Sequence, residues 1–135
     1  MTAGTLYIGT KRYSSWSLRG WLSVRLAKLS VEEVTIPLAG GVTAAVQAAT
    51  KGGTVPYLRH QGAEMGESLA IAEYCAEFAP ALWPADRVVR AHARAIASEM
   101  HAAYRELRMA MPMSLFRPNA GGKCATDGAL ADIAR

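Results

Sequence analysis
Apolar and polar positions along this chain change rhythm several times, and each rhythm predicts an element. Leu6-Tyr7-Ile8-Gly9 is a short β-favouring apolar run that stops at a glycine, the pattern of a strand. After a polar loop over residues 10–15, Leu18, Trp21, Leu22, Val24, Leu26 and Leu29 recur at helical spacing. That spacing predicts an amphipathic helix over residues 16–29. Over residues 31–38, Val34, Ile36 and Leu38 share one face of a second strand. Strand, helix, strand in so short a stretch is a βαβ unit, whose two strands run parallel.

The next stretch keeps a different beat. Gly40-Gly41 opens a loop, residues 42–50 are rich enough in alanine for a short helix, and Lys51-Gly52-Gly53 ends it. Val55-Pro56-Tyr57-Leu58-Arg59 and Ala63-Glu64-Met65 then read as two strands joined across His60-Gln61-Gly62, a hairpin. Residues 68–78 form a further helix with Leu69, Ile71, Ala72 and Cys75 turned to a core. The order βαβαββα predicts an α/β domain: a mixed four-stranded sheet with helices on both faces. Ala79-Pro80-Ala81-Leu82-Trp83-Pro84 carries two prolines and reads as a linker. Beyond it Asp86 caps a long helix predicted to run unbroken to about Met111 and to stop at Pro112. Its apolar stripe is Val89, Ala93, Ile96, Met100, Ala103, Tyr104 and Leu107. Residues 116–125 form a loop, and residues 126–135 start another helix whose stripe is expected to lack a partner. The predicted division is residues 1–82 as one complete domain and residues 86–135 as the start of an all-helical, truncated second one.

Composition narrows the class. Among 135 residues, 51% are hydrophobic and 19% charged, which excludes a wholly disordered chain. No stretch approaches the roughly 18 uninterrupted apolar residues of a membrane span. The first residues lack the basic start and long apolar run of a secretory signal. Cys75 and Cys124 stand far apart, which argues against a disulfide framework and against a zinc site. A cytoplasmic, reduced, soluble protein without metal or membrane is the expectation. The net charge of +4 is scattered, with no like-charge run and no alternation of basic and aromatic residues, so nucleic acid is not the expected partner. A mildly basic chain does suit an anionic small ligand.

Three places bear candidate chemistry. Tyr13-Ser14-Ser15-Trp16-Ser17-Leu18-Arg19 joins the first strand to the first helix, where free helix N–H groups and a hydroxyl meet an anion. Simple helix capping by Ser14 or Ser15 explains the same residues. No neighbouring base or G-x-S-x-G elbow makes either a nucleophile, which leaves a serine that stabilises a ligand's thiolate. Val55-Pro56 opens the third strand, where proline marks an edge or a special turn and a cis bond would splay Val55 towards a ligand. Glu67-Ser68 opens the third helix: Ser68 offers a hydroxyl and an N–H to a carboxylate, and Glu67 a carboxylate to an ammonium. Capping explains this pair as well. Cys75, at core spacing, reads as a buried apolar residue.

Taken in order, Ser14-Ser15-Trp16-Ser17-Leu18-Arg19, Thr54-Val55-Pro56-Tyr57-Leu58 and Glu67-Ser68-Leu69-Ala70-Ile71 resemble the glutathione S-transferases. The serine motif is most similar to the zeta class and related bacterial enzymes, with Trp16 where zeta proteins place a cysteine. The resemblance implies a thioredoxin-like first domain, a helical second domain, a cytosolic homodimer, and glutathione as co-substrate. It implies conjugation of the glutathione thiolate to small hydrophobic electrophiles, the chemistry of detoxification. A maleylacetoacetate-type cis-trans isomerase and a non-catalytic binding module are the alternatives. Carried over, Ser14 or its neighbour Ser15 would contact the glutathione sulfur, and Val55 beside Pro56 would pair with the cysteinyl backbone. Glu67 and Ser68 would hold the γ-glutamyl end. Thr54 replaces the family's usual polar or basic residue, so Lys51 is the candidate for the glycine carboxylate. Trp16, Met100, His101, Tyr104 and Arg108 would wall the electrophile pocket, although Met100 and Tyr104 on the apolar stripe also suit a packed core.

Overall fold
The computed structural model describes residues 3–39, 43–115 and 125–135. Strands β1 (Gly4–Ile8), β2 (Glu32–Thr35), β3 (Tyr57–His60) and β4 (Ala63–Met65) form one sheet in the order β2-β1-β3-β4. β1 runs parallel to β2 and antiparallel to β3, and β3 turns antiparallel into β4. The sheet is therefore mixed, as the thioredoxin-like expectation requires. Alternation along the strands sorts the two faces. Leu6, Ile8 and Leu58 are fully buried on one face, against Val24, Ile71 and Cys75 from the helices α1 (Ser15–Leu26) and α3 (Ser68–Phe78). Arg59 faces the other way, and its guanidinium donates to the Ala49 carbonyl at the end of α2 (Ala44–Ala49). Cys75 is part of this core, and burial pushes its thiol up to about 11.

The first helix ends three residues earlier than its apolar spacing predicts. Lys28 takes a left-handed φ of 56°, its N–H meets the Arg25 carbonyl, and the Leu29 N–H meets that of Val24. This is a Schellman stop built without glycine. α1 and α3 pack side by side, and Gly20 makes that closeness reach the sheet. A Cβ there would lie 2.8 Å from both Cβ and Cγ of Pro56, so only glycine fits.

After a short 3₁₀ turn at Pro80–Leu82, the predicted long helix is two helices. α4 (Arg87–Ala102), capped by Asp86 through the N–H groups of Val88 and Val89, ends before Ala103. α5 (Arg105–Ala110) follows, and Tyr104 between them is left-handed with φ of 63°. Arg108 turns back to the carbonyls of Met100 and Ala103, supplying partners to the end of α4. α6 (Asp127–Ile133) meets α5 through Asp132, which accepts the Leu107 N–H at 2.9 Å, and Ala129 is fully buried, whereas Leu130 and Ile133 of its expected stripe stay more than half exposed. No residue of α4 is buried, and Ile96 on its stripe is 53% exposed. The predicted loop over residues 116–125, and Cys124 within it, fall outside the described residues except for Ala125. Among the described residues no helix is long and apolar enough to cross a membrane.

Candidate functional site
A chain of hydroxyls ties the end of β1 to the first turn of α1. Ser14 caps α1, its Oγ accepting the Ser17 N–H at 3.2 Å and lying 2.9 Å from Ser17 Oγ. Ser17 Oγ in turn accepts the Gly9 N–H at 2.8 Å, and Ser17 is almost wholly buried. Sequence reasoning passed over Ser17; its signal was the third hydroxyl of the motif, one turn beyond the cap. Ser14 is buried but borders a cavity of about 210 Å³ lined also by Trp16, Leu38, Val46, Gly53, Thr54 and Val55. Capping and cavity lining are thus both true of it. Ser15 begins α1 and faces a different hollow, shared with Met100, Tyr104 and Arg108.

The Val55–Pro56 peptide bond is cis. A cavity of about 200 Å³ joins parts of all three motifs: Trp16 from the first, Thr54, Val55 and Pro56 from the second, Glu67 and Ser68 from the third. It shares Trp16, Thr54 and Val55 with the cavity beside Ser14. At its far wall the two capping expectations for α3 fail. Neither Glu67 nor Ser68 makes a side-chain cap, and the Ser68 hydroxyl is buried with no hydrogen-bond partner. Glu67 has a positive φ of 61°, uncommon for a residue with a Cβ. The unbonded N–H groups at the start of α3, with their dipole, stand beside it.

The electrophile-pocket candidates converge on the Trp16 ring. Arg19 lies over it at 4.2 Å from the centroid, Arg108 at 4.8 Å, and His101 meets it edge-on at 5.1 Å. His101 Nε2 stands 3.3 Å from Glu67, while its Nδ1 is buried without a partner. Arg19 was absent from the expected pocket, though its place one turn after Trp16 puts both on one side of α1. Met100 is exposed rather than packed in a core. It lines a hollow of about 310 Å³ with Ser15, Trp16, Tyr104, Leu107 and Arg108. Burial and the neighbouring charge of Arg108 both lower the pKa of Arg19. A larger groove of about 600 Å³ runs between α1, α3 and α4, and is walled by Leu22, Ala72, Ile96 and Ala97 among others.

Lys51 is not brought to any of these walls. Its ammonium is 2.6 Å from Glu64 on the hairpin, and the side chain is largely exposed. Among the described residues, no three His, Cys, Asp or Glu side chains cluster so as to hold a metal ion.

Residues 10–82 match the family profile described as Glutathione S-transferase, N-terminal domain. Among solved structures, a glutathione transferase homolog from Burkholderia gl BGR1, with bound glutathione, is 29% identical with a TM-score of 0.66, over 81% of this chain and 62% of that one. A theta class glutathione S-transferase from the citrus canker pathogen Xanthomonas axonopodis pv. citri, with glutathione bound, is 24% identical at a TM-score of 0.68. That match covers 99% of this chain and 65% of the other. An Omega 2C glutathione transferase from Trametes versicolor is 20% identical at a TM-score of 0.69, over 99% of this chain and 61% of that one. The latter two likenesses speak for the fold. This chain thus spans less than two thirds of the length of each neighbour. No protein of curated function matches it in sequence.

Proposed function
The chain belongs to the glutathione S-transferase family, and from that premise we propose that it binds glutathione and conjugates its thiolate to small electrophiles. The observation that carries the proposal is the single cavity shared by the three motifs, with the unanswered Ser68 hydroxyl in its wall. In this reading Ser68 and the first N–H groups of α3 bind the γ-glutamyl carboxylate, and Glu67 takes its ammonium. Val55 offers its backbone to the cysteinyl residue, which directs the sulfur towards Ser14.

Ser14 is suited to stabilise a thiolate because Ser17 can supply both of its partners. Ser14 Oγ donates to Ser17 Oγ at 2.9 Å, and rotation of the two hydroxyls so that Ser17 donates instead frees the Ser14 proton for the sulfur. A hydrogen bond and the N-terminal end of α1 then favour the charged sulfur and lower its pKa. The thiol proton leaves to solvent, and the sulfur attacks the electrophilic carbon. With an aryl halide, the carbon–sulfur bond forms as the carbon–halogen bond breaks and halide departs. Trp16, Met100, Tyr104 and Arg108 border the space for that second substrate. Lys51 holds the glycine carboxylate in this reading only by leaving Glu64.

Retention on immobilised glutathione and calorimetric titration with free glutathione test binding, and an aryl-halide assay tests turnover. Ser14→Ala is expected to lower kcat by about tenfold to a hundredfold while changing glutathione affinity less than threefold or so. Equal losses in both would remove Ser14 from the thiolate.

A further inference from the structure
Trp16 carries two guanidinium groups, from Arg19 on its own helix and Arg108 on α5. Among the described residues neither has a carboxylate within ion-pair distance. Glu67 pairs with His101, Glu73 with Arg94 and Glu99 with Arg135, and Glu106, on α5 itself, makes no ion pair with either guanidinium. Arg108 spends part of its donor set on the Met100 and Ala103 carbonyls, and among the described residues Arg19 meets only the indole face. Two like charges sharing one ring, part-withdrawn from water, repel each other; burial first, and the Arg108 charge second, lower the pKa of Arg19. An anion entering between the cavities would relieve both costs.

The surroundings define the rest of the ligand. Arg108 opens on the hollow walled by Tyr13, Met100, Tyr104, Leu107 and Met113, and Arg19 on the apolar groove walled by Leu22, Leu69 and Ile96. Aromatic and methionine side chains suit a flat apolar body, which the Trp16 face can stack upon. We infer that the Arg19–Trp16–Arg108 cluster selects electrophiles that carry a carboxylate on an aromatic or olefinic body, rather than purely hydrophobic ones. The inference rests on the proposed conjugation and names the substrate class of that site.

Paired conjugates test it directly. The affinities of S-(para-carboxyphenyl)glutathione and its para-carbamoyl counterpart are measured by calorimetry with the full chain. Glutathione's own carboxylates are common to both ligands, so the ratio reports the additional one alone. The carboxylate is expected to bind roughly fivefold to tenfold more tightly, with that ratio falling towards one in Arg19→Gln and in Arg108→Gln. Because Arg108 also supports the end of α4, a salt titration of the unaltered chain gives an independent reading, in which rising ionic strength erodes the ratio. Equal affinities, or a ratio indifferent to both variants and to salt, would overturn the inference while leaving the proposed function standing. Failure to hold glutathione itself would sink the proposed function, and the inference with it.

Discussion
Ser68 keeps a hydroxyl 2% exposed at the first turn of α3 where nothing in the chain answers it. Leaving a buried hydroxyl unpaired costs about 1–3 kcal/mol, so its removal should not destabilise the fold. Ser68→Ala is accordingly expected to leave the thermal midpoint unchanged or slightly raised. Glutathione affinity is expected to fall about tenfold by calorimetric titration, the loss of one hydrogen bond to a charged group. A helix cap would behave in the opposite way, losing about 1 kcal/mol of stability on the same substitution. A lowered midpoint with intact affinity would therefore return Ser68 to a purely structural role. Sequence motifs located this residue but left its two roles indistinguishable, since a serine at a helix start is equally good at both. The missing hydrogen bond separates them, and hydrogen bonds are not legible in spacing.

At the scale of elements, the packing of α1 against Pro56 links fold to site most directly. Replacing a mid-helix glycine by alanine ordinarily stabilises a helix by up to ~1 kcal/mol. At Gly20 the new Cβ would sit 2.8 Å from two atoms of a proline ring that has no other rotamer to adopt. Overpacking of that kind costs about 1–3 kcal/mol, which exceeds the propensity gain. Gly20→Ala is expected to lower the urea midpoint and to weaken retention on immobilised glutathione, because Pro56 and Val55 wall the cavity. A raised midpoint would show that α1 has room to move. The succession of four strands and the three helices around them was legible because alternation and helical spacing are local signals with glycine punctuation. The strand ends were legible only roughly, since β2 stops at Thr35 and β3 begins at Tyr57, and two helix ends were not legible at all. Lys28 ends α1 in a conformation normally announced by glycine, and Tyr104 breaks the long helix although the apolar stripe runs straight through it. An aromatic residue at positive φ gives no warning in composition. What sustains the break is Arg108 reaching back to two carbonyls, a contact that exists only once the chain has turned.

Across the whole molecule, burial is uneven. The core cluster of Leu6, Ile8, Val24, Leu58, Ile71 and Cys75 belongs entirely to the part of the chain before Ala79. α4 and α5 contribute no buried residue, and α6 contributes Ala129. Local opening free energy follows buried apolar contact, so amide exchange should be graded along the chain. By mass spectrometry, β1, β3, α1 and α3 are expected to exchange more than about tenfold more slowly than α4 and α5, a difference of ~1.4 kcal/mol or more in opening. Uniform protection would mean that the helical region folds as one unit with the sheet. That same core also decides the fate of Cys75, one of the chain's two cysteines. A protein that brings a reactive thiolate and an electrophile together risks arylating itself. Cys75 is fully enclosed, and its thiol, pushed up to about 11, holds almost no thiolate at neutral pH. The fold thus keeps this nucleophile of its own immune to the reagents it is proposed to handle.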